Sequence, residues 1–210
     1  MKTIGIDLDN TLISYKGVFH RAARLQGLIP PECTEDKDAV RDYLRSVDRE
    51  DDWTRLQGHV YGPGLVDASP YAGAPECIAA FRRHGWRVVI ISHKTKTPYL
   101  GPPHDLQASA REWLDARAIV GAGDGQVPRD CVFLEESKAA KANRIATTDC
   151  DWFVDDLPEF LSDPAFPLRT RRVLFDPEGR SQPDTRWLRA SSWAEINALI
   201  LETTEPHGTA

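Results

Sequence analysis

An α/β fold is predicted from three features of the 210-residue sequence. Short apolar runs of strand length recur along the chain, amphipathic stretches at helical spacing lie between them, and the runs are apolar on both faces, as in central parallel strands. Residues 3–7 form the first such run. From residue 74 the alternation is regular: a helix over 75–84, with Ile78, Ala79 and Phe81 at helical spacing and Gly85 as its stop, precedes a strand over 88–92. A helix over 106–117 carries Leu106, Ala110, Trp113 and Leu114 on one side. A third strand at 131–134 leads to a helix over 137–147 that opens on a serine cap. Strands at 152–154 and 172–175 follow, and an amphipathic helix over 191–201 closes the domain, leaving residues 203–210 as an expected disordered tail. The sum is a Rossmann-like parallel sheet of about five strands flanked by helices.

Residues from about 10 to 71 break this alternation. They hold charged helical stretches at 36–47 and 51–59, joined by turn-rich connections at Pro30-Pro31 and Gly62-Pro63-Gly64. A segment this long is no ordinary loop and shows no clear strand, so it reads as a small α-helical insertion.

Composition narrows the function classes. A net charge of -6 argues against a nucleic-acid-tracking protein, which usually presents a basic face. Cys33, Cys77, Cys131 and Cys150 are widely spaced with no CxxC pair, which points to reduced thiols rather than a zinc cage or disulfide framework. The N-terminus has no signal-peptide pattern, and no apolar run approaches the ~18 residues of a membrane span. A cytoplasmic protein with no nucleic-acid or membrane partner is expected.

In a parallel sheet, ligands bind beyond the carboxyl ends of the strands. Asp7 and Asp9 stand at the first such end, in the run Asp7-Leu8-Asp9-Asn10-Thr11. Carboxylates this close repel unless they share a cation or a proton. The alternative is that they cap the following turn. Asp155 and Asp156 repeat the pattern after the fourth strand, with a solvated turn as the alternative. Two acidic strand ends in one sheet favour an oxygen-ligand metal site, and hard oxygen donors point to Mg2+ rather than zinc. Ser92 ends the second strand, and its hydroxyl, with the backbone N–H groups of His93 and the residues after it, can hold phosphate oxygens. Against that stand a local turn hydroxyl for Ser92, a bystander role for His93, and a solvated loop for Lys94 and Lys96. Lys138, just inside the third helix, can reach the same crevice, with Lys141 one turn later as its competitor.

Taken together, these residues resemble the motif set of the haloacid dehalogenase superfamily. Asp7-Leu8-Asp9-Asn10-Thr11 is similar to its first motif, Ser92 to its second, Lys138 to its third and Asp155-Asp156 to its fourth, over residues 1–14 and 72–176. The resemblance implies a phosphatase in which Asp7 attacks phosphorus to give an aspartyl-phosphate, and Asp9 protonates the leaving oxygen and then activates water. It implies Mg2+ bound by Asp7, the Asp9 backbone carbonyl and Asp156, with Asp155 behind them or orienting the lysine. Ser92 and Lys138 would hold the phosphoryl oxygens. Members that remove halide lack the second aspartate, so Asp9 argues against dehalogenation.

The resemblance also implies domain roles: a catalytic core at 1–14 and 72–202 and a helical cap at 15–71 that sets specificity. Tyr15, Lys16, His20 and Arg21 are candidate cap contacts, with a helix surface or hinge as their alternative. The proline-stiffened stretch 94–103 is either a second wall of the substrate site or a packed surface loop. The expected substrate is a small phosphorylated metabolite, a sugar phosphate ahead of a nucleotide. A deoxyribonucleotidase-like reading would need a stacking ring, for which Trp53, Tyr61 and Tyr71 are candidates. A non-catalytic phosphate-binding module and phosphoryl transfer to another acceptor are the rival classes.

Overall fold

The computed structural model describes residues 1–202, so the expected disordered tail lies outside the described residues. In chain order the elements are β1 (Thr3–Ile6), β2 (Ile13–Ser14), α1 (Val18–Leu25), α2 (Lys37–Ser46), α3 (Glu50–Tyr61), β3 (Ser69–Pro70), α4 (Ala74–Arg83), β4 (Arg87–His93), α5 (Leu106–Ala116), β5 (Val132–Glu135), α6 (Lys138–Thr147), β6 (Trp152–Asp155), α7 (Pro158–Leu161), β7 (Arg171–Phe175), β8 (Leu188–Ala190) and α8 (Trp193–Glu202). None of these helices is long and apolar enough to cross a membrane. The described residues fall into two compact units: Met1–Leu12, Pro70–His93 and residues 118–202 form the first, and Ile13–Ser69 with Lys94–Arg117 form the second.

The first unit is built on a six-stranded sheet in the order β5-β4-β1-β6-β7-β8, every adjacent pair parallel. The five expected strands are present; the sixth, β8, has three residues of which two are exposed, too short and too polar to announce itself in the sequence. β1 is buried along its whole length because a neighbour covers each edge. Its Gly5 lets β6 side chains cross the sheet surface, for a methyl group there would stand 2.5 Å from Phe153 Cδ2. Phe153, Phe160 and Phe166 then pack edge to face, with ring centroids 5.7–6.2 Å apart.

Beyond β1 the chain turns through Asn10 in the left-handed region (φ 58), a conformation asparagine tolerates better than most residues. This turn is tied down from behind. The Trp193 indole donates to the Thr11 carbonyl at 3.1 Å, and Tyr71 N–H donates to the Leu12 carbonyl at 2.9 Å.

In the second unit Phe19 sits among Tyr15, Trp53 and Tyr61, all with centroids within 5.8 Å of it. Asp36 caps α2 by accepting from Asp38 N at 2.7 Å and Ala39 N at 3.4 Å. The insertion, expected to be free of strands, is entered and left through the two-residue β2 and β3. Helix α1 has no start signal in the sequence, because Gly17, at its N-terminus, carries no side-chain cap.

The unit boundaries also differ from the expected division at 14/15 and 71/72, because Lys94–Arg117 belongs to the second unit. Trp113 Nε1 donates to the Ala68 carbonyl at 3.0 Å, and Arg117 donates to the Val66 and Ala68 carbonyls at 2.8 and 3.0 Å, which ties α5 to this unit. The stretch 94–103 packs on α3, where a methyl at Gly58 would meet Pro98 Cβ at 2.7 Å.

The link between β7 and β8 turns on Asp176, whose carboxylate accepts from Arg180 N at 3.0 Å and Ser181 N at 2.9 Å and pairs with Arg189 at 3.2 Å. Burial alone would raise this carboxyl; the N–H groups of Ser181 and Arg180 and the Arg189 guanidinium outweigh it and hold it below the ordinary value. A depressed acid contributes stability above its unfolded pKa and loses it as pH falls through the folded value. Asp176→Ala should therefore cost about 1–3 kcal/mol in urea unfolding at pH 7. The gap to wild type should close below about pH 4.

Candidate active site

Strand register assembles the acidic cluster. Ile6 pairs with Ile90 on one side and Val154 on the other, so Asp7 comes level with Asp155 while Ser92 lies one step further along β4. Asp7 N–H extends the ladder by donating to the Val154 carbonyl at 2.9 Å. The chain steps from β1 outward to β4 and β5, then returns to β6 on the opposite side of β1. The acids thus stand where the strand order reverses, the position at which open α/β sheets bind ligands.

A lysine joins them. Lys141 Nζ lies 2.6 Å from Asp7 Oδ1 and 2.6 Å from Asp155 Oδ2, and all three side chains are 6% exposed or less. The ammonium also sits 4.3 Å from the Phe160 ring centroid and 5.4 Å from that of Phe153. Removing one member of such a buried set leaves an uncompensated charge and costs about 3–5 kcal/mol.

This lysine corrects the choice of Lys138. Lys138 is 46% exposed and lies 3.7 Å from Glu159, away from the aspartates. Helical side chains lean toward the N-terminus of their helix, so a residue one turn inside α6 leans back over its N-terminal end. Lys141 is that residue, and it continues the buried stripe of Ala142 and Ile145. The spacing of Lys141 and Ile145, four residues apart on one helix face, is the sequence signal that distinguishes it from Lys138.

The other expected residues divide by position. Asp155 commits both oxygens to protein donors, Oδ2 to Lys141 and Oδ1 to Leu157 N at 2.9 Å, which favours an orienting role over direct ligation. Asp156 is half-buried, with its Oδ1 3.5 Å from Thr11 Oγ1. Ser92 is buried at the end of β4, and Asp9 and His93 are partly exposed. Burial holds the His93 imidazole below its ordinary pKa, so it is largely neutral at pH 7.

Carboxylate oxygens of Asp7, Asp155 and Asp156 all lie within 4.8 Å of one another. Burial, against the pull of Lys141 and with the repulsion of Asp155, pushes Asp7 up to about 7. Burial and the charges of Asp155 and Asp7 likewise raise Asp156. Lys141 stays charged, because Asp155 and Asp7 outweigh its own desolvation. One ammonium against three carboxylates leaves an excess of negative charge that calls for protons or a hard cation. An all-oxygen donor set of this spacing fits Mg2+.

Among the rings considered for stacking, Trp53 is buried against Phe19 and Tyr71 packs edge-on to Phe175 at 4.8 Å, while Tyr61 stays partly exposed. Of the candidate cap contacts, Tyr15 is buried in the aromatic cluster and His20 Nε2 bonds the Cys33 carbonyl at 2.9 Å, while Lys16 and Arg21 are exposed. Lys94, for which a solvated loop was the alternative, is only 4% exposed.

No protein-family model matches the chain, and no curated protein sequence matches it. Solved structures do. A haloacid dehalogenase-like hydrolase from Streptococcus pneumoniae superposes with a TM-score of 0.62 at 13% identity, covering 95% of this chain and 98% of that one. A predicted phosphoglycolate phosphatase from Haemophilus somnus gives 0.59 at 17% identity and 98% coverage of both chains. A HAD family hydrolase from Deinococcus radiodurans, solved with phosphate and sodium bound, gives 0.55 at 15% identity and 96% coverage of both. Identities this low speak to architecture alone, and the architecture of this chain is the haloacid dehalogenase-like hydrolase fold.

Proposed function

We propose that the protein is a Mg2+-dependent phosphomonoesterase that hydrolyses a small phosphorylated metabolite through an aspartyl-phosphate on Asp7. The observation that carries this reading is the buried Lys141 bridge between Asp7 and Asp155 at the strand-order reversal, with Asp156 beside it. A carboxylate so placed has one oxygen held by the ammonium and the other directed by that bond, which suits an attacking group. Bound by Asp7 and Asp156, with the Asp9 backbone carbonyl as an expected third ligand, Mg2+ would screen the approach of anionic nucleophile and anionic phosphate.

Lys141 then serves two ends. It keeps Asp7 oriented, and its charge offsets that of the transferring phosphoryl group. Asp155 fixes the ammonium in place. Ser92, level with Leu8 by register, supplies a hydroxyl beside the strand end for a phosphoryl oxygen. In this reading Asp9, two residues beyond Asp7 and partly exposed, is the acid that protonates the leaving oxygen and then the base that activates water. A dehalogenase also shares the fold, at a TM-score of 0.57 and 14% identity. Asp9 favours phosphate over halide, since halide removal has no leaving oxygen to protonate. The nucleotidase reading is weakened, because two of its three candidate rings are engaged in packing. A sugar phosphate remains within the proposed class.

Three measurements test the reading. Hydrolysis of p-nitrophenyl phosphate should require Mg2+ and vanish in Asp7→Asn; equal background rates for the two proteins would sink the enzyme reading. Asp9→Asn should lower kcat at least about a hundredfold while largely preserving phosphate binding, and Lys141→Met should lower kcat as far. Finally, an acid raised from 3.8 to about 7 costs the folded state stability progressively as pH climbs through that window. Mg2+ binds the ionised form and offsets the cost. The rise in melting temperature on adding Mg2+ should therefore grow between pH 6 and 8 and disappear in Asp156→Asn.

A further inference from the structure

The turn that follows Asp7 is held by a side chain from the far end of the same unit. Leu12 N–H donates to the Leu8 carbonyl at 2.9 Å, and Asn10 between them lies in the left-handed region at φ 58. Such a backbone persists only where its surroundings hold it. Leu8, Thr11 and Leu12 are fully buried, so the Thr11 carbonyl has no water to accept from. Its donor is the indole N–H of Trp193, 3.1 Å away and 182 positions later in the chain.

Trp193 is itself held from several sides. It is 1% exposed, its ring centroid lies 6.1 Å from that of Phe175, and its carbonyl accepts from the Cys77 thiol at 3.0 Å. A methyl group at Gly73 would stand 3.5 Å from its Cβ. Packing against Phe175 needs only a ring; the N–H is an added donor that must find a partner once buried. Thr11 passes this anchorage on. Its hydroxyl donates to Asp156 Oδ1 at 3.5 Å, a bond so long that a small rotation of the Thr11 peptide would break it. Asp156 is one of the three acids whose carboxylate oxygens lie within 4.8 Å of one another. The orientation of Asp156 is thus tied to Thr11, and that of Thr11 to Trp193.

We propose that Trp193 is a positioning residue for the acidic cluster, orienting Asp156 for a divalent cation through the Thr11 peptide. This deepens the Mg2+ reading and rests on it; phosphoester hydrolysis is not required for it. Loss of the indole donor leaves the Thr11 carbonyl buried without a partner. The peptide then turns to find one and draws the Thr11 hydroxyl away from Asp156. Such coupling is reciprocal: a bond that strengthens cation binding is itself strengthened when the cation binds.

Calorimetric titration of Mg2+ into wild type and Trp193→Phe, well below either melting temperature, tests this without turnover. Trp193→Phe keeps a ring against Phe175 and should bind Mg2+ about tenfold more weakly. Thr11→Val, which leaves the carbonyl and its indole bond in place, should weaken Mg2+ binding as well. The double variant should bind about as weakly as the weaker single variant, because the two bonds act in series. Equal affinities for wild type and Trp193→Phe, or losses that add in full in the double variant, overturn the proposal. The Trp193 indole N–H resonance of wild type gives a readout that needs no variant to fold. It should move as Mg2+ is added, with the midpoint found by calorimetry. A resonance that stays still while Mg2+ binds also overturns the proposal. Hydrolysis of p-nitrophenyl phosphate separates the two readings. Mg2+ binding that depends on Trp193 in a protein that hydrolyses nothing retires the phosphatase reading and keeps the positioning role. Mg2+-dependent hydrolysis with a metal affinity indifferent to Trp193 retires the positioning role alone. A wild type that takes up no Mg2+ overturns both.

Discussion

Lys141 is an ammonium group closed off from water, shared at equal distance by two carboxylates and faced by two aromatic rings. Parallel register forces Asp7 and Asp155 level with one another, and Asp156 follows immediately in the chain. Without a cation these strand ends would repel, and the two central strands of the sheet would be pushed apart where they must pair. The lysine that prevents this comes from α6, whose position is set by the Ser137 cap, accepting from Ala140 N at 3.1 Å, and by the buried stripe of Ala142 and Ile145. Strand, crossover helix and acidic cluster therefore form one electrostatic unit. The same charge balance that lets the sheet close leaves a net negative excess, which a hard cation would offset.

Most of this was legible in the sequence for simple reasons. Apolar runs at 3–6, 88–92 and 152–154 are long enough to fix strands, and the acids directly after the first and last of them stand out because buried strand ends seldom carry them. What escaped was whatever depended on direction rather than on residue type. Lys138 and Lys141 look alike in a sequence; only the backward lean of helical side chains separates the exposed one from the buried one. Lys94 looked like a loop residue because its neighbours Lys96 and Thr97 are exposed, while its contact with Tyr61 spans thirty-three positions of chain. Strand β8 and helix α7 were too short to show a period at all.

The two units carry different kinds of information. The acidic cluster and its lysine sit wholly in the first unit, on elements whose geometry the parallel sheet dictates. Such constraints survive wide divergence, which accounts for a fold shared with solved structures at identities where sequence comparison finds nothing. The second unit has no comparable lattice of strands. Its aromatic core around Phe19 and the tether of α5 to the Ala68 carbonyl rest on side-chain contacts rather than on a ladder of strands.

Gly5 gives a last consequence. The central strand lacks a side chain at the one position where Phe153 crosses it, 2.5 Å from where a β-carbon would stand. Phe153 in turn backs the ammonium of Lys141. The two positions are thus coupled: a β-carbon at residue 5 would force the Phe153 ring to move, and with it the wall behind the lysine. A side chain at this glycine, two residues from Asp7, would act through a neighbouring strand on a charge it never touches.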